Sequence, residues 1–458
     1  MSSGELPLEI YHRTNAIGSG SYGSVVVVYD DEGQEYAMKL FDEEDDDSDD
    51  GCNYGISLGT LREISILRLL RNGNSHPNVI EIHDIQTSFG EEDDEEVGIY
   101  AMAMPLYSDG SLADAFSKIT TKKQKAVIAY GILNALAFLH ENSIIHRDIK
   151  SDNIMLSFNP SDGDDGHGTF EPVLIDFSLA KFISADDSSE FEPTHTSPIG
   201  TPTYRSPEVV DEKPYGLPSD LWSVGVVLLE MLQGKCIEAF KDKDAIESIS
   251  HRLDSLPEGQ PFPTLLRNLL EPDPLKRWTA REALNCDFFV KFHLSEEAKS
   301  KSFHLVSLSS ALPIEGDEYN DDCNLEKENN RNQRESKQLS SQKKTNSVLS
   351  KRSKFILKVC DWMEWDNPFT AKASMLYITQ MNEIIGNVDD LNASNAMLDC
   401  LVLAHKFFER NLCGTSDLDA LYEKFGYSGF DTDEYLGNEN TLFSMMDFCL
   451  YPRCFNSK

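Results

Sequence analysis

The sequence predicts an α+β chain of more than one domain, and three observations carry that prediction. Short β-rich runs such as "YGSVVVVYD" and "EYAMKLF" occupy the chain to about residue 105, around one helical segment, "TLREISILRLL". From about residue 110 to 295 the periodicity is mainly helical, as in "KKQKAVIAYGILNALAFLHE" and "DLWSVGVVLLEML". Helical periodicity then returns near the C-terminus, beyond a polar stretch too poor in apolar residues to form a core.

With 458 residues, 40% of them hydrophobic, the chain can bury a large core and exceeds a single small module. The boundaries read as a first domain over residues 1–295, a polar flexible linker over 296–349 ("EKENNRNQRESKQLSSQKKTNS") and an all-helical domain over 350–458. That last domain rests on "FILKVCDWMEW", "AKASMLYITQMNEII", "NAMLDCLVLAHKFFER" and "ENTLFSMMDFCLY". No internal repeat is evident.

The formal net charge is −37, and part of it is concentrated in "DEEDDDSDD" (Asp42 to Asp50) and "EEDDEE" (Glu91 to Glu96). Removing those runs still leaves a strong negative balance, so direct nucleic-acid binding is not expected, because phosphate contacts need a basic face. The runs themselves read as solvated loops. Nine scattered cysteines without a C-x-x-C pair argue against a disulfide framework or a zinc site. The N-terminal "MSSGELPLEIYHRT" has neither a basic start nor an apolar core, and no apolar run approaches membrane-spanning length. An intracellular protein, cytoplasmic or nuclear and without a membrane partner, is expected.

The chemistry begins at "IGSGSYGSVVVV", where Gly18, Gly20 and Gly23 stand at G-x-G-x-x-G spacing between apolar runs and leave backbone free to close over phosphates. A dinucleotide site would need a helix next, and "SVVVVYD" is strand-like instead. In "YAMKL", Lys39 sits in an otherwise apolar strand and needs an anionic partner, for which Glu63 in the helical "LREISIL" is the candidate. "HRDIKSDNIML" brings Asp148, Lys150 and Asn153 into one loop: a carboxylate to orient a hydroxyl, a cation for transferring phosphate, and an amide oxygen for magnesium. "VLIDFSLAKF" reads as a short buried strand ending on Asp176, a second metal ligand, with Ser178 where many phosphate-transferring enzymes place glycine.

This ordered set, with "GTPTYRSPE", "DLWSVG" and "DPLKRWTAREAL" following, resembles the eukaryotic protein kinase family over about residues 10 to 293. The resemblance implies a bilobal fold, with a β-rich N-lobe and a helical C-lobe, and use of ATP and Mg2+ on protein substrates. It implies an ATP site formed by Ile17, Gly18, Gly20, Gly23, Val25, Ala37, Lys39, Glu63, Met104, Tyr107 and Met155. It makes Asp148 the catalytic base, sets Lys150 at the γ-phosphate and gives Asn153 and Asp176 to magnesium. Glu208 and Arg277 are expected as a buried ion pair of the C-lobe. Serine is small, so Ser178 is expected to leave the enzyme active, and Ser178→Gly to leave activity equal or higher.

"GISLGTLREISILRLL" is similar to the PSTAIRE helix of cyclin-dependent kinases. That likeness implies inhibitory phosphorylation at Ser21 and Tyr22, and an activating phosphate at Thr196 gathered by Arg62, Arg147 and Lys181. Arg205 matches the arginine of proline-directed kinases, and Gly200 offers the positive φ of their proline pocket. "GTPTY" and the short span from Glu230 to Arg277 depart from that subtype, which leaves proline direction open. "SFNPSDGDDGHGTFEP" reads as a surface insertion.

The C-terminal helices resemble a cyclin box, with Lys406 and Glu439 where cyclins grip their kinase and "AMLDCLVLA" as a central buried helix. The resemblance implies a cyclin-dependent type of serine/threonine kinase activated in cis, its cyclin-like domain packing against Ile56 and Ile64. A linker of about 50 residues spans roughly 40 Å, which permits docking within one molecule. Two alternatives stand beside it: a pseudokinase scaffold, favoured by Ser178 alone, and a kinase with an unrelated helical interaction domain.

Overall fold

Alternating side chains in "GSVVVVY" and "EYAMKL" give strands one face each for two different environments, and the N-terminal sheet is built on that alternation. The structure, a computed structural model, describes residues 11–20, 23–41, 56–73, 75–88, 98–160, 168–182, 199–237, 242–294, 393–408 and 415–424, with residues 363, 374, 377–378, 435, 439 and 442–443. The chain divides into two compact units, Met1–Glu43 with Gly59–Val306, and Glu44–Leu58 with Ser307–Lys458. The expected linker, both acidic runs, Ser21, Tyr22 and Thr196 lie outside the described residues.

In the first unit, β1 (His12–Gly20), β2 (Gly23–Tyr29), β3 (Glu35–Leu40), β4 (Asp84–Ser88) and β5 (Gly98–Pro105) form an antiparallel sheet in the order β1-β2-β3-β5-β4. Val26 pairs with Met38 and Met38 with Ala103, and these three fill a buried cluster with Tyr11, Val28 and Ala101. Val25 pairs with Lys39 and Ala37 with Met104, so these four side chains share the opposite face. A one-residue slip would exchange the two faces. Between β3 and β4 runs α1 (Leu58–Gly73), with Leu61, Glu63, Ile64, Ile66, Leu67 and Leu70 all buried. Arg62, Arg68 and Arg71 are among its less buried residues, and the leucines and isoleucines supply the buried apolar face that holds it in place.

The rest of this unit is mainly helical. After the short α2 (Leu112–Ala115), α3 (Lys122–Glu141) starts at Thr121, whose hydroxyl accepts the Gln124 N–H while the Gln124 side chain returns to the Thr121 N–H. The short α4 (Pro207–Val210) precedes α5 (Pro218–Gln233), which stops at Gly234 in the left-handed region, φ 72°. Beyond it run α6 (Asp242–Asp254), α7 (Pro261–Leu269), α8 (Ala280–Leu284) and α9 (Asp287–Val290).

Helical periodicity conceals four short strands here: β6 (Ile144–Ile145), β7 (Ile154–Asn159), β8 (Thr169–Leu174) and β9 (Lys181–Phe182). β7 pairs with β8, from Ile154 with Leu174 to Asn159 with Thr169, and β6 pairs with β9. The ends of the expected surface insertion are thus strand residues of a hairpin, and its Phe158 and Phe170 rings lie 5.0 Å apart. Among the described residues no helix is long and apolar enough to cross a membrane.

The second unit contains α10 (Ala393–Phe408) and α11 (Thr415–Lys424). Leu398, Cys400, Leu401, Val402, Leu403 and Ala404 on α10 are fully buried. Tyr422 on α11 donates its hydroxyl to Asp399 on α10.

Glu208 on α4 and Arg277 form a bidentate pair, Nη1 to Oε1 at 2.7 Å and Nη2 to Oε2 at 3.0 Å. Arg277 also donates to the carbonyls of Pro218 and Glu271 and lies 5.4 Å from the Trp222 ring. Arg277→Ala would leave Glu208 buried and alone, which costs about 3–5 kcal/mol. Chemical denaturation of the variant is expected to show a loss of that order, and a loss under about 1 kcal/mol would mean the pair is not an anchor.

Candidate active site

The loop after β6 is shaped by a carboxylate far away in sequence. Asp220, in the first turn of α5, accepts the backbone N–H groups of His146 and Arg147, each at 2.9 Å, and lies 3.0 Å from His140 Nε2. Burial pushes the Asp220 carboxyl up, but the hydrogen bond from His140 and the neighbouring histidine charges hold it below the usual carboxylate range. Arg147 takes φ 67°, and its Nε donates to the Leu179 carbonyl at 2.7 Å. A second buried carboxylate, Glu230 on α5, accepts from the Ser151 hydroxyl, the Tyr204 hydroxyl and the Ile237 N–H. The loop is therefore tied to α5 at both ends.

Held this way, Asp148 meets a full set of partners. Lys150 Nζ donates to its Oδ2 at 2.8 Å and Asn153 Nδ2 to the same oxygen at 3.0 Å. The Thr201 hydroxyl and N–H donate to Oδ1 at 2.9 and 3.1 Å. Both carboxylate oxygens are thus oriented. Thr201 and Asp220 carry geometry that motif reading assigned to neither, although both stand inside quoted motifs, "GTPTYRSPE" and "DLWSVG".

A second group assembles around Lys39. Its Nζ lies 2.7 Å from Glu63 Oε2 on α1 and 3.7 Å from Asp176 Oδ1. Burial alone would lower the Lys39 pKa, but the two carboxylates more than reverse this and raise it. Glu63 is pushed above the usual carboxylate range by burial, with Lys39 opposing. Asp176 is raised by burial yet ends below that range because of the Lys39 charge and the Ser178 hydroxyl.

Val25, Ala37 and Met104 share the Lys39 face, Met155 pairs with Val173 and bridges to Ser111, and Tyr107 is half-buried. Ile17, Gly18, Gly20 and Gly23 lie in β1 and β2, with Gly18 opposite Val25 and Gly20 opposite Gly23. Of the expected phosphate-gathering cations, Arg62 is on α1, Arg147 is in the Asp148 loop and Lys181 begins β9.

Among the described residues there is no group of three or more His, Cys, Asp or Glu side chains that could hold a metal. Magnesium does not require one, since it takes one or two carboxylates and completes its shell with water and substrate phosphate. Asn153 and Asp176 suit that pattern: the Asn153 amide nitrogen is spent on the carbonyl and carboxylate of Asp148, which leaves its oxygen as an acceptor. The Ile175 N–H donates to the Asn153 carbonyl at 3.0 Å, which joins the two segments.

Gly200 has φ 86°, and a Cβ there would meet the Arg147 carbonyl at 2.5 Å, so glycine is required on both counts. Arg205 Nε donates to the carbonyls of Ile199 and Gly200 at 3.2 and 2.9 Å.

In the second unit, Lys406 Nζ lies 3.1 Å from Glu439 Oε1, with both side chains almost wholly buried. Tyr435 donates its hydroxyl to Glu439 Oε1 at 3.0 Å, and Oε2 accepts the backbone N–H of Ile56 at 2.6 Å. Ile56 was expected as an apolar docking residue. The contact it makes with Glu439 is through its main chain, two residues ahead of α1.

The family description "Protein kinase domain" matches residues 11–289, more than half of the chain. The serine/threonine-protein kinase DCLK3 of Mus musculus is 30% identical over 60% of this chain and 32% of its own length. CBL-interacting protein kinase 33 of Oryza sativa subsp. japonica is 28% identical over 64% of this chain and 59% of its own length. The serine/threonine-protein kinase pak-2 of Caenorhabditis elegans is 30% identical over 50% of this chain and 40% of its own length. The chain therefore spans less than two thirds of each of these curated relatives. None of the three is named as a cyclin-dependent kinase.

Proposed function

The chain belongs to the protein kinase family, and from that premise we propose that it transfers the γ-phosphate of ATP to serine or threonine hydroxyls of proteins. The observation that carries this reading is Asp148, with one oxygen fixed by Lys150 and Asn153 and the other by Thr201. In that orientation Asp148 accepts the proton of the substrate hydroxyl as its oxygen forms a bond to the γ-phosphorus. The bond from that phosphorus to the bridging oxygen breaks, and ADP leaves with the electron pair. Lys150 offsets charge on the transferring group, and Lys39, braced by Glu63, holds the α- and β-phosphates. Magnesium held by Asn153 and Asp176 would neutralise phosphate charge when bound. Val25, Ala37, Met104, Tyr107 and Met155 offer the apolar surface an adenine ring needs.

The cyclin-dependent type and activation in cis belong to the same proposal. Their support lies in the second unit, where Glu439, paired with Lys406, accepts the Ile56 N–H. Because Ile56 runs covalently into α1, a fixed Ile56 limits where α1 begins, and α1 carries Glu63. The C-terminal unit then acts as a built-in activator by keeping Glu63 within reach of Lys39. The scaffold alternative rested on Ser178 alone, and the Ser178 hydroxyl bonds to Asp176 instead of displacing it.

Two measurements test these statements. Asp148→Asn is expected to leave the unfolding transition intact and to lower the transfer rate by a factor on the order of 10² to 10⁴. A rate equal to wild type would remove Asp148 from the chemistry. The double variant Lys406→Met, Glu439→Leu removes both buried charges together, so neither is left alone, and also removes the acceptor for the Ile56 N–H. In the full-length protein it is expected to lower transfer about tenfold, the effect of roughly 1.4 kcal/mol in positioning α1. Unchanged transfer in a folded double variant would eliminate activation in cis.

A further inference from the structure

Asp176 stands in the left-handed region, φ 62°, whereas Ser178 does not. For a residue with a side chain this conformation costs roughly 1–2 kcal/mol, and it persists only where the surroundings hold it. Phe177 is fully buried with its ring 4.8 Å from that of His146, and the Ala180 N–H closes a turn onto the Phe177 carbonyl at 3.0 Å. Those contacts fix the backbone on the far side of Asp176 but leave its carboxylate free to rotate.

The carboxylate is fixed by Ser178. The Ser178 hydroxyl donates to Asp176 Oδ1 at 2.7 Å, and the Ser178 N–H reaches the same oxygen at a long 3.4 Å. Lys39 Nζ, 3.7 Å away, also faces Oδ1. Among the described residues, the side-chain contacts of Asp176 thus converge on Oδ1 and not on Oδ2. Ser178 is only 3% exposed, so water does not readily compete for its hydroxyl. A glycine here would supply the long backbone bond alone.

We propose that Ser178 is a positioning residue whose hydroxyl fixes the rotation of the Asp176 carboxylate so that Oδ2 is presented to magnesium. The serine is then a working part of the site, and the expectation that Ser178→Gly leaves activity equal or higher is replaced by its opposite. This inference rests on the reading of the chain as an ATP-dependent kinase.

The test measures binding of ADP to the full-length protein by calorimetry, with excess chelator and over a series of magnesium concentrations, for wild type, Ser178→Ala and Ser178→Gly. Outer-shell partners of a metal ligand are worth 10–100-fold in metal affinity. Both variants are expected to need about tenfold more magnesium to reach half of the metal-dependent gain in ADP affinity, with chelated ADP affinity unchanged. The same magnesium dependence in wild type and Ser178→Ala would overturn the inference while leaving the kinase reading in place. Loss of ADP affinity to the same extent with and without magnesium would also overturn it, since that is what a merely structural serine would give. Absence of ADP binding by the wild type under both conditions would overturn the kinase reading itself, and this inference with it.

Discussion

A lysine ammonium enclosed by protein must keep a counter-charge, and Lys39 keeps two, Glu63 at 2.7 Å and Asp176 at 3.7 Å. These groups come from three pieces of chain: β3 of the sheet, helix α1, and the turn that follows β8. Neither β3 nor α1 can shift far without parting Lys39 from the buried Glu63, and breaking such a pair costs several kcal/mol. The pair between Lys39 and Glu63 is therefore a geometric lock. It exists only when α1 is correctly placed, and when it exists Asp176 is already beside the lysine that would hold phosphate.

The same logic accounts for the polar groups around Asp148. Asp220 and Glu230 are buried acids on α5, and both act on main chain or hydroxyl donors of the neighbouring loops rather than on cationic side chains alone. A rigid helix thus sets a loop that has little regular structure of its own. In the second unit Glu439 does the equivalent, with Lys406 balancing its charge and the Ile56 N–H as the group it holds. Asp220, Glu230 and Glu439 thus share one device, a buried carboxylate that collects backbone N–H groups.

What was legible in the sequence was local. In "YAMKL" a lone charge in an apolar strand called for Glu63, and "HRDIKSDN" put Asp148, Lys150 and Asn153 in one loop. What escaped was set by partners distant in the chain. Thr201 reaches Asp148 across 53 residues and Asp220 reaches Arg147 across 73, and neither has a spacing rule that reveals it. The hairpin of β7 and β8 was hidden because the polar, glycine-rich stretch between its strands dominated the composition. Ser178 read as a departure from a glycine pattern because its hydrogen bond depends on the rotation of Asp176, which composition does not encode. Ile56 read as an apolar contact because a backbone N–H has no signature at all.

We propose that one chain carries both the transfer machinery and a segment, at Ile56, that limits where α1 begins. The most direct test is a radiolabelled phosphate-transfer assay with purified full-length wild-type protein, ATP, magnesium and a general protein substrate, with no other protein added. Label is expected in serine or threonine from this single component, at a specific activity that does not change with enzyme concentration. Incorporation that appears only after a separate activator protein is supplied, or none under any condition, would contradict the proposal.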